Sequence, residues 1–177
     1  SLFEALNSVT RQSHSAIEII VVNAKGQGHP ALPESLGNFH LHFVDRGHPL
    51  QRSAAANAGL AAARGEYLIF LDDDDLFEPT HITKLIETLH DHPSARIAYA
   101  DVRVESSNGT TIGCFNQDFL AARLWGGNYL PIHAVLFHRS IVDQGCRFDE
   151  GLESYEDWDF WLQASRLSTF IHCHTVG

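Results

Sequence analysis

The sequence predicts an α/β fold in which a mostly parallel sheet is flanked by helices. Short apolar runs rich in β-branched residues, typical of strands buried on both faces, alternate with helix-forming stretches over the first 105 residues. Such alternation is typical of parallel sheets whose strands are joined by crossover helices. With 177 residues, 44% of them hydrophobic, the chain is long enough to bury a continuous core. We therefore expect residues 1–177 to form a single domain.

The first half of the chain is predicted to hold two helices and three strands. Leu2, Leu6 and Val9 recur at helical spacing and predict a helix over residues 2–12. An alanine-rich stretch, Ala54–Arg64, predicts a second helix that ends before a glycine. The predicted strands are Ile17–Val22, His40–Val44 and Tyr67–Leu71.

The elements that follow are less regular. Pro79 is a favourable first residue for a helix, and the apolar spacing after it predicts a helix that stops before Pro93. The turn residues Ser107–Thr110 follow a predicted strand, Ile97–Val104, and predict a hairpin. The remaining predicted elements are a short helix near Asp118–Leu124, a strand near Ala134–His138 and a helix from about Glu156 to Leu167.

Composition argues against several classes of partner. Lys and Arg number 12 against 22 Asp and Glu, which gives a formal net charge of −10. A chain with this balance and no basic cluster is a poor ligand for nucleic acid or for an anionic membrane surface. The three cysteines lie far apart and form no C-x-x-C pair, which indicates a reduced, cytoplasmic protein. Because the chain starts without an initiator methionine, we expect it to be part of a longer protein.

An acidic run follows the third predicted strand directly. Four consecutive aspartates, Asp72–Asp75, stand between two leucines. An arbitrary acidic run is most often a solvated surface loop. This one stands at the carboxyl end of a buried strand, where open α/β sheets bind ligands. Close carboxylates repel one another, and carboxylate and phosphate oxygens are the ligands that Mg²⁺ or Mn²⁺ prefers. We therefore expect a site for a metal ion and a diphosphate.

A second acidic cluster begins the last predicted helix. Glu156, Asp157 and Asp159 stand among three aromatic residues in the stretch EDWDFW. One interpretation is a capping box, since Ser154 and Asp157 fit the Ser/Thr-x-x-Asp/Glu pattern and acids suit a first helical turn. The other is catalytic. The aromatic residues would pack into the core and hold the acids at the edge of a pocket, where a carboxylate can act as general base on a hydroxyl.

The 12 histidines include three pairs with a spacing of two residues, which on a strand places both members on one face. No third ligand is evident in the sequence for any of them, so surface histidines are the favoured interpretation. The pairs are His40/His42, His90/His92 and His172/His174.

The two acidic clusters, in this order, resemble the GT-A glycosyltransferases of family 2. The resemblance extends over nearly the whole chain and includes the opening LFEALNSVTRQ, the strand IEIIVV, the stretch NAGLAAARGEYLIFLDDDD, the phrase GCRFDEGL and the final YEDWDFW. It implies a GT-A fold with a Rossmann-like sheet. About residues 1–105 would bind the nucleotide sugar and about residues 106–177 would face the acceptor. The family opens with a further strand before the first helix, so we expect that first strand to be missing here.

The resemblance implies a role for each residue on the donor side. Asp72-x-Asp74 matches the family's D-x-D motif, so Asp74 and Asp72 would hold a divalent metal, Mg²⁺ or Mn²⁺. Asp72 and Asp73 would contact the nucleotide sugar, together with Asn23 and Asn57. The donor is expected to be a UDP-sugar, and the metal would stabilise the diphosphate as it leaves.

On the acceptor side, Glu156-Asp157 matches the family's E-D pair, whose aspartate is the catalytic base. Asp157 would deprotonate an acceptor hydroxyl, which attacks the anomeric carbon with inversion. Glu156, His133 and the Gly126–Asn128 loop fall on this side, although a packed or surface histidine is the competing interpretation of His133. The implied enzyme is a hexosyltransferase of glycan biosynthesis. It would use a glycan, a lipid-linked or another hydroxyl acceptor in the cytoplasm or at the inner face of the membrane.

Departures from the family's pattern keep a second class of function open. The family's second strand usually ends Val-Asp-Asp-Gly-Ser, whereas here Ala24 stands where the aspartate that reads the base would be. The alternative is a non-catalytic or impaired sugar-nucleotide-binding module of the same fold. The missing strand would also leave a sheet edge beside Ile17–Val22. Exposed edges pair with other chains, so a homo-oligomer is expected.

Overall fold

The computed structural model describes residues 1–29 and 31–177, and its strands form two sheets flanked by helices. The helices are α1 (Leu2–Thr10), α2 (Arg52–Ala62), α3 (His81–Asp91), α4 (Ala121–Gly126), α5 (Ser140–Asp143) and α6 (Glu156–Ala164), with a 3₁₀ turn at Ile132–Ala134. The strands are β1 (Glu18–Val22), β2 (Ser35–Leu36), β3 (Phe39–Val44), β4 (Tyr67–Ile69), β5 (Ile97–Glu105), β6 (Thr111–Phe115), β7 (Val135–His138) and β8 (Phe170–Val176). Within these residues, no helix has the length and apolar character needed to cross a bilayer.

The predicted helices and strands form, with shifts of a few residues at their ends. α2 ends at Ala62 rather than at the predicted Arg64. The N–H groups of Arg64 and Gly65 donate instead to the Glu18 carboxylate of β1, at 2.5 and 2.6 Å. α6 likewise ends at Ala164, shortly before its predicted end. A contact with a distant strand, which local spacing does not encode, therefore accompanies the early end of α2.

Strand directions are mixed, so the expectation of a mostly parallel sheet is wrong, although the α/β class is confirmed. Parallel ladders join β1 to β3 and β5 to β8. Antiparallel ladders join β2 to β3, β4 to β7, β5 to β6 and β5 to β7. A tight turn at Gly109, which has a φ of 80°, reverses the chain after β5 and makes β6 antiparallel. β7 then enters between β4 and β5 in the opposite direction.

Two hydrophobic clusters hold the sheets and helices together. The larger one centres on three fully buried rings of β7 and α6, Phe137, Phe160 and Trp161. Phe160 stacks on Phe148 with ring centroids 4.5 Å apart, which ties α6 to the segment before it. The second cluster packs α1 and α3 against β1, β3 and the first part of β5. Burial of the α6 rings fixes the position of the acidic first turn of that helix, as the aromatic pattern predicts.

β1 and β4 belong to different sheets but share one core cluster. Among the described residues each has a ladder partner on one side, β3 for β1 and β7 for β4. Tyr67 and Ile69 of β4 nevertheless pack against the cluster that contains Ile19 and Val21 of β1. One edge of each strand therefore carries backbone groups that no ladder of the described chain uses.

Candidate active site

The acidic run forms a compact turn directly after β4. The Asp75 N–H donates to the Asp72 carbonyl oxygen at 3.2 Å, which closes the turn. One carboxylate oxygen from each of Asp72, Asp74 and Asp75 lies within 4.8 Å of the others, and Asp73 is exposed beside this set. Burial raises the pKa of Asp72 above its usual value, the Arg52 charge opposes that shift, and the charges of Asp75 and Asp74 add to it. These crowded donors are all oxygen atoms, so the turn fits a hard divalent cation.

Arg52, the first residue of α2, joins the two acidic clusters. Its Nη2 lies 2.5 Å from Asp72 Oδ2, and its Nε lies 2.8 Å from Glu156 Oε1. The Arg52 side chain is 61% exposed and that of Glu156 is 9% exposed, so the guanidinium reaches in from the surface to neutralise a nearly buried carboxylate. Because Asp72 follows β4 and Glu156 begins α6, this side chain links the two ends of the predicted site. Sequence reasoning missed Arg52, since one arginine before an alanine-rich helix gives no signal of function.

The first turn of α6 presents Asp157. Asn128 Nδ2 donates to Asp157 Oδ2 at 2.8 Å, and the Trp158 N–H donates to Oδ1 at 2.8 Å. The N-cap is Tyr155, a non-glycine residue at φ 62° and ψ 22°. That left-handed conformation costs about 1 kcal/mol or more. The capping-box interpretation of Ser154 and Asp157 is wrong, because Tyr155 is the N-cap and no side chain caps α6 in the described structure.

His133 packs against the acidic turn rather than standing at the surface. Its Nδ1 lies 2.9 Å from Asp75 Oδ2, and its side chain is 17% exposed. The hydrogen bond from His133 lowers the pKa of Asp75. His81 holds this segment from within the core, since its Nε2 donates to the His133 carbonyl oxygen at 3.1 Å. Burial lowers the pKa of His81 to about 4, so its imidazole is neutral at pH 7.

The buried His81 predicts a loss of stability in mild acid. Its pKa is about 4 in the folded chain against an ordinary value of 6.5, so the unfolded chain binds a proton at pH values where the folded chain does not. The contribution of neutral His81 to the free energy of unfolding is therefore fully present above pH 6.5. It decreases as the pH drops toward 4, by about 3 kcal/mol in total. Urea unfolding at a series of pH values should show the additional loss in the wild type and not in His81→Gln, which cannot titrate. Parallel curves for the two proteins would contradict this prediction.

The second acidic cluster lines an open cleft, and Arg52 connects the first cluster to it. A cavity of about 300 Å³ is lined by Arg52, Glu153, Ser154, Tyr155, Glu156 and Asp157. Asp72 reaches the cleft through its ion pair with Arg52. An oriented carboxylate at the rim of a cleft can accept a proton from a bound hydroxyl. Neighbouring carboxylates can hold a cation that binds phosphate oxygens.

Asn23 and Asn57, both predicted on the donor side, make supporting contacts. Buried Asn23 donates from Nδ2 to Asp45 Oδ2 at 3.1 Å, and its Oδ1 accepts two N–H groups of the loop after β1. Asn57 Nδ2 donates to the Phe148 carbonyl oxygen and to Glu150 Oε1, and its Oδ1 accepts the Phe148 N–H. These amides therefore order the loop after β1 and the segment around Phe148, whereas Arg52 links the two acidic clusters.

Comparison with known sequences relates this arrangement to one family. The family model described as "Glycosyl transferase family 2" matches residues 1–145. The chain is 30% identical over 182 residues to the uncharacterized glycosyltransferase YwdF of Bacillus subtilis (strain 168), a match that covers 94% of this chain and 63% of that protein. It is 26% identical over 189 residues to the succinoglycan biosynthesis protein ExoO of Rhizobium meliloti (strain 1021), covering 98% and 53%. The chain thus spans less than two thirds of the length of either relative.

Solved structures share the fold at low sequence identity. The crystal structure of S. aureus TarS 1-349 in complex with UDP superposes with a TM-score of 0.75 at 16% identity, over 97% of this chain and 53% of that chain. The complex of the same TarS fragment with UDP-GlcNAc gives a TM-score of 0.71 at 15% identity, over 97% and 51%. The described chain therefore has the GT-A architecture of these proteins.

Proposed function

This chain belongs to glycosyl transferase family 2, and on that premise we propose that it transfers a sugar from a nucleotide-diphosphate sugar to an acceptor hydroxyl, with inversion at the anomeric carbon. The observation that carries the proposal is that Arg52 links an all-oxygen acidic turn to the first turn of α6, where the oriented Asp157 carboxylate lines an open cleft. TarS has been crystallised with UDP and with UDP-GlcNAc, which supports a UDP-sugar as donor and a hexosyltransferase-type reaction.

On the donor side, Asp74 and Asp72 would hold a divalent cation, Mg²⁺ or Mn²⁺, and Asp75 adds a third oxygen donor from the same turn. When bound, the cation supplies Lewis-acid stabilisation of the departing diphosphate. Arg52 adds a fixed positive charge next to the same carboxylates. The residues proposed to contact the nucleotide sugar are Asp72, Asp73, Asn23 and Asn57.

Asp157 is the proposed general base. Asn128 and the Trp158 N–H orient its carboxylate, whose remaining lone pairs can accept the proton of an acceptor hydroxyl. The acceptor oxygen forms its bond to the anomeric carbon as the bond to the diphosphate oxygen breaks on the opposite face. Glu156 is engaged by Arg52, so it supports the site and leaves the proton transfer to its neighbour.

The two halves of the chain are proposed to bind different substrates. We place donor binding in about residues 1–105 and acceptor binding, with Glu156 and His133, in about residues 106–177 of one GT-A domain. The acceptor is a glycan, a lipid-linked or another hydroxyl compound, and the similarity to ExoO supports a role in glycan biosynthesis. The reaction is proposed for the cytoplasm or the inner face of the membrane. A net charge of −10 argues against nucleic acid as a partner in this reaction.

Two observations favour the second candidate, a non-catalytic or impaired sugar-nucleotide-binding module. Ala24 leaves the loop after β1 without the carboxylate that would read the base. Arg52 sets a permanent cation between Asp72 and Glu156, which partly relieves the repulsion that a metal would relieve. A module of this kind would bind a donor and release no nucleotide.

A donor panel separates the two functions. The chain is incubated with UDP-, GDP- and dTDP-sugars, with and without Mn²⁺, and both the melting temperature and the release of nucleoside diphosphate are measured. We expect stabilisation by a UDP-sugar and Mn²⁺-dependent release of UDP. Stabilisation without release for every acceptor tested would favour the binding module. No shift with any donor would contradict both functions.

The unladdered edge of β1 supports a proposal of self-association. No ladder of the described chain uses the backbone groups on that edge, so we expect a strand of a second copy to pair there and light scattering to reveal a dimer whose population rises with concentration. Ile20→Lys, on β1, should shift the population toward monomer because a charged side chain at an edge opposes pairing. His42→Lys, on the exposed face of the interior strand β3, is the matched control. A wild-type protein that stays monomeric at every concentration would contradict the proposal of self-association.

A further inference from the structure

A second group of metal-type ligands lies away from the acidic turn. His172 and His174 belong to β8, and Asp118 lies on the segment between β6 and α4. His172 Nδ1 is 2.8 Å from Asp118 Oδ1, and His174 Nε2 is 3.7 Å from the same oxygen. One ligand atom from each residue lies within 4.8 Å of the other two. The prediction of surface histidines is confirmed for His174, whose side chain is 70% exposed, and is wrong for His172, whose side chain is 5% exposed. Asp118 is the third group that the sequence did not reveal.

His172 is positioned in the way that proteins position a metal-binding imidazole. Its Nε2 lies 2.7 Å from Asp101 Oδ1 of β5, and its ring stacks on Tyr99 with centroids 4.6 Å apart and an interplanar angle of 6°. Histidine ligands usually donate their second ring N–H to a carboxylate, which fixes the tautomer and leaves the other nitrogen for the metal. Asp101 does this for Nε2 and so leaves Nδ1 facing Asp118 and His174.

Exposure differs across the group in a way that suits entry of an ion from solvent. The His172 side chain is 5% exposed and supplies a fixed ligand. Asp118 is 81% exposed and His174 is 70% exposed, so both can adjust around an ion. Asp118 Oδ1 lies 2.8 Å from His172 Nδ1 and 3.7 Å from His174 Nε2. These distances lie on either side of the distance of about 3.3 Å that separates ligand atoms in a tetrahedral site with bonds of about 2.0 Å.

We propose that Asp118, His172 and His174 bind a borderline divalent transition-metal ion of the Zn²⁺ type, with water in the remaining position. Two imidazole nitrogens and one carboxylate oxygen form a donor set that favours Zn²⁺ over Mg²⁺, since Mg²⁺ prefers oxygen ligands. Asp101 is the positioning residue that orients His172. The site is separate from the Asp72–Asp75 turn in both residues and ligand chemistry, so it does not depend on the proposed sugar transfer.

The ion would fasten the segment before α4 to β8. That segment leads into α4, where the Leu124 carbonyl oxygen accepts the Trp158 indole N–H at 2.7 Å. Beyond α4 the chain reaches Asn128, which orients Asp157. A metal at Asp118 therefore stabilises the acceptor side of the cleft from outside it.

Metal titration of the whole chain tests the proposal. Co²⁺ is added in the presence of excess Mg²⁺, which competes for oxygen-only sites, and the visible absorption of the bound ion is followed. We expect one equivalent of Co²⁺ with the spectrum of a tetrahedral nitrogen- and oxygen-ligated ion, displaced by Zn²⁺. His174→Ala and Asp118→Asn, both at exposed positions, should weaken binding about 10-fold or more. Asp101→Asn should weaken it about 10- to 100-fold by releasing His172.

Two controls isolate the site. His40→Ala/His42→Ala removes an exposed pair with the same spacing on β3 and should leave the affinity unchanged. Asp74→Asn alters the acidic turn and should leave the Co²⁺ spectrum unchanged, so failure here and failure of the donor site are distinguishable. If wild type and His174→Ala bind Co²⁺ equally, or neither binds it, the proposal is overturned and His172 only bridges Asp101 and Asp118 by hydrogen bonds.

Discussion

Replacing Asp157 with Asn should abolish sugar transfer while the donor still binds. Asn keeps the shape of the side chain, and its Oδ1 can still accept one of the two hydrogen bonds that Asn128 and the Trp158 N–H now donate. It cannot accept the proton of an acceptor hydroxyl. Loss of a general base lowers the rate by about 10²–10⁴-fold. The measurements are turnover per folded molecule and the thermal shift produced by the donor.

Asp159 provides the matched control for this substitution. It stands in the first turn of the same helix, is half-buried like Asp157, and accepts a hydrogen bond from the Gln163 side-chain amide at 2.7 Å. Asp159→Asn therefore removes the same charge next to the same helix dipole and should retain most of the activity. Glu156→Gln is a weaker control because it also breaks the ion pair with Arg52. Equal modest losses in the Asp157 and Asp159 variants would show that the base has been assigned to the wrong carboxylate.

Local pattern was sufficient for most elements of the fold and insufficient for their pairing. The β-branched run of β1 and the apolar face of α3 each depend on neighbours in sequence, so periodicity predicts them. Periodicity does not predict the direction of β7, because that direction depends on where the chain lies after the Gly109 turn and the α4 segment. Alternation of strands and helices in the first half therefore suggested more parallel pairing than the second half supports.

The residues of the candidate site likewise differ in whether the local sequence reveals them. Asp72–Asp75 and Glu156-Asp157 are runs of chemically distinctive residues, and such runs are visible in a sequence. Arg52, Asp118 and Asp101 are single residues whose importance comes from partners elsewhere in the chain, and no local pattern marks them. Asp75 belonged to the visible run, but its place in the ligand set became clear only from the turn that brings it back toward Asp72.

Asp74→Asn should remove the metal-dependent part of nucleotide binding. In the wild type, Mn²⁺ with UDP at about 100 times the dissociation constant should stabilise the fold by about 2.7 kcal/mol, a rise of about 5 to 10 °C in melting temperature. The variant replaces an anionic ligand with a neutral one in a site whose affinity comes from charge. It should therefore melt at the same temperature with UDP whether or not Mn²⁺ is present.

The pH dependence of this shift gives a second readout of the same ligand set. Burial raises the pKa of Asp72, so protons compete with the metal at a pH above the range of an ordinary aspartate. The Mn²⁺-dependent rise in melting temperature should decrease as the pH is lowered through that range. Asp91→Asn is the control, because it removes one exposed carboxylate at the end of α3, far in sequence from the acidic turn, and should keep the full rise. A Mn²⁺-dependent rise that survives in Asp74→Asn at every pH would place the cation elsewhere and remove the acidic turn from the donor site.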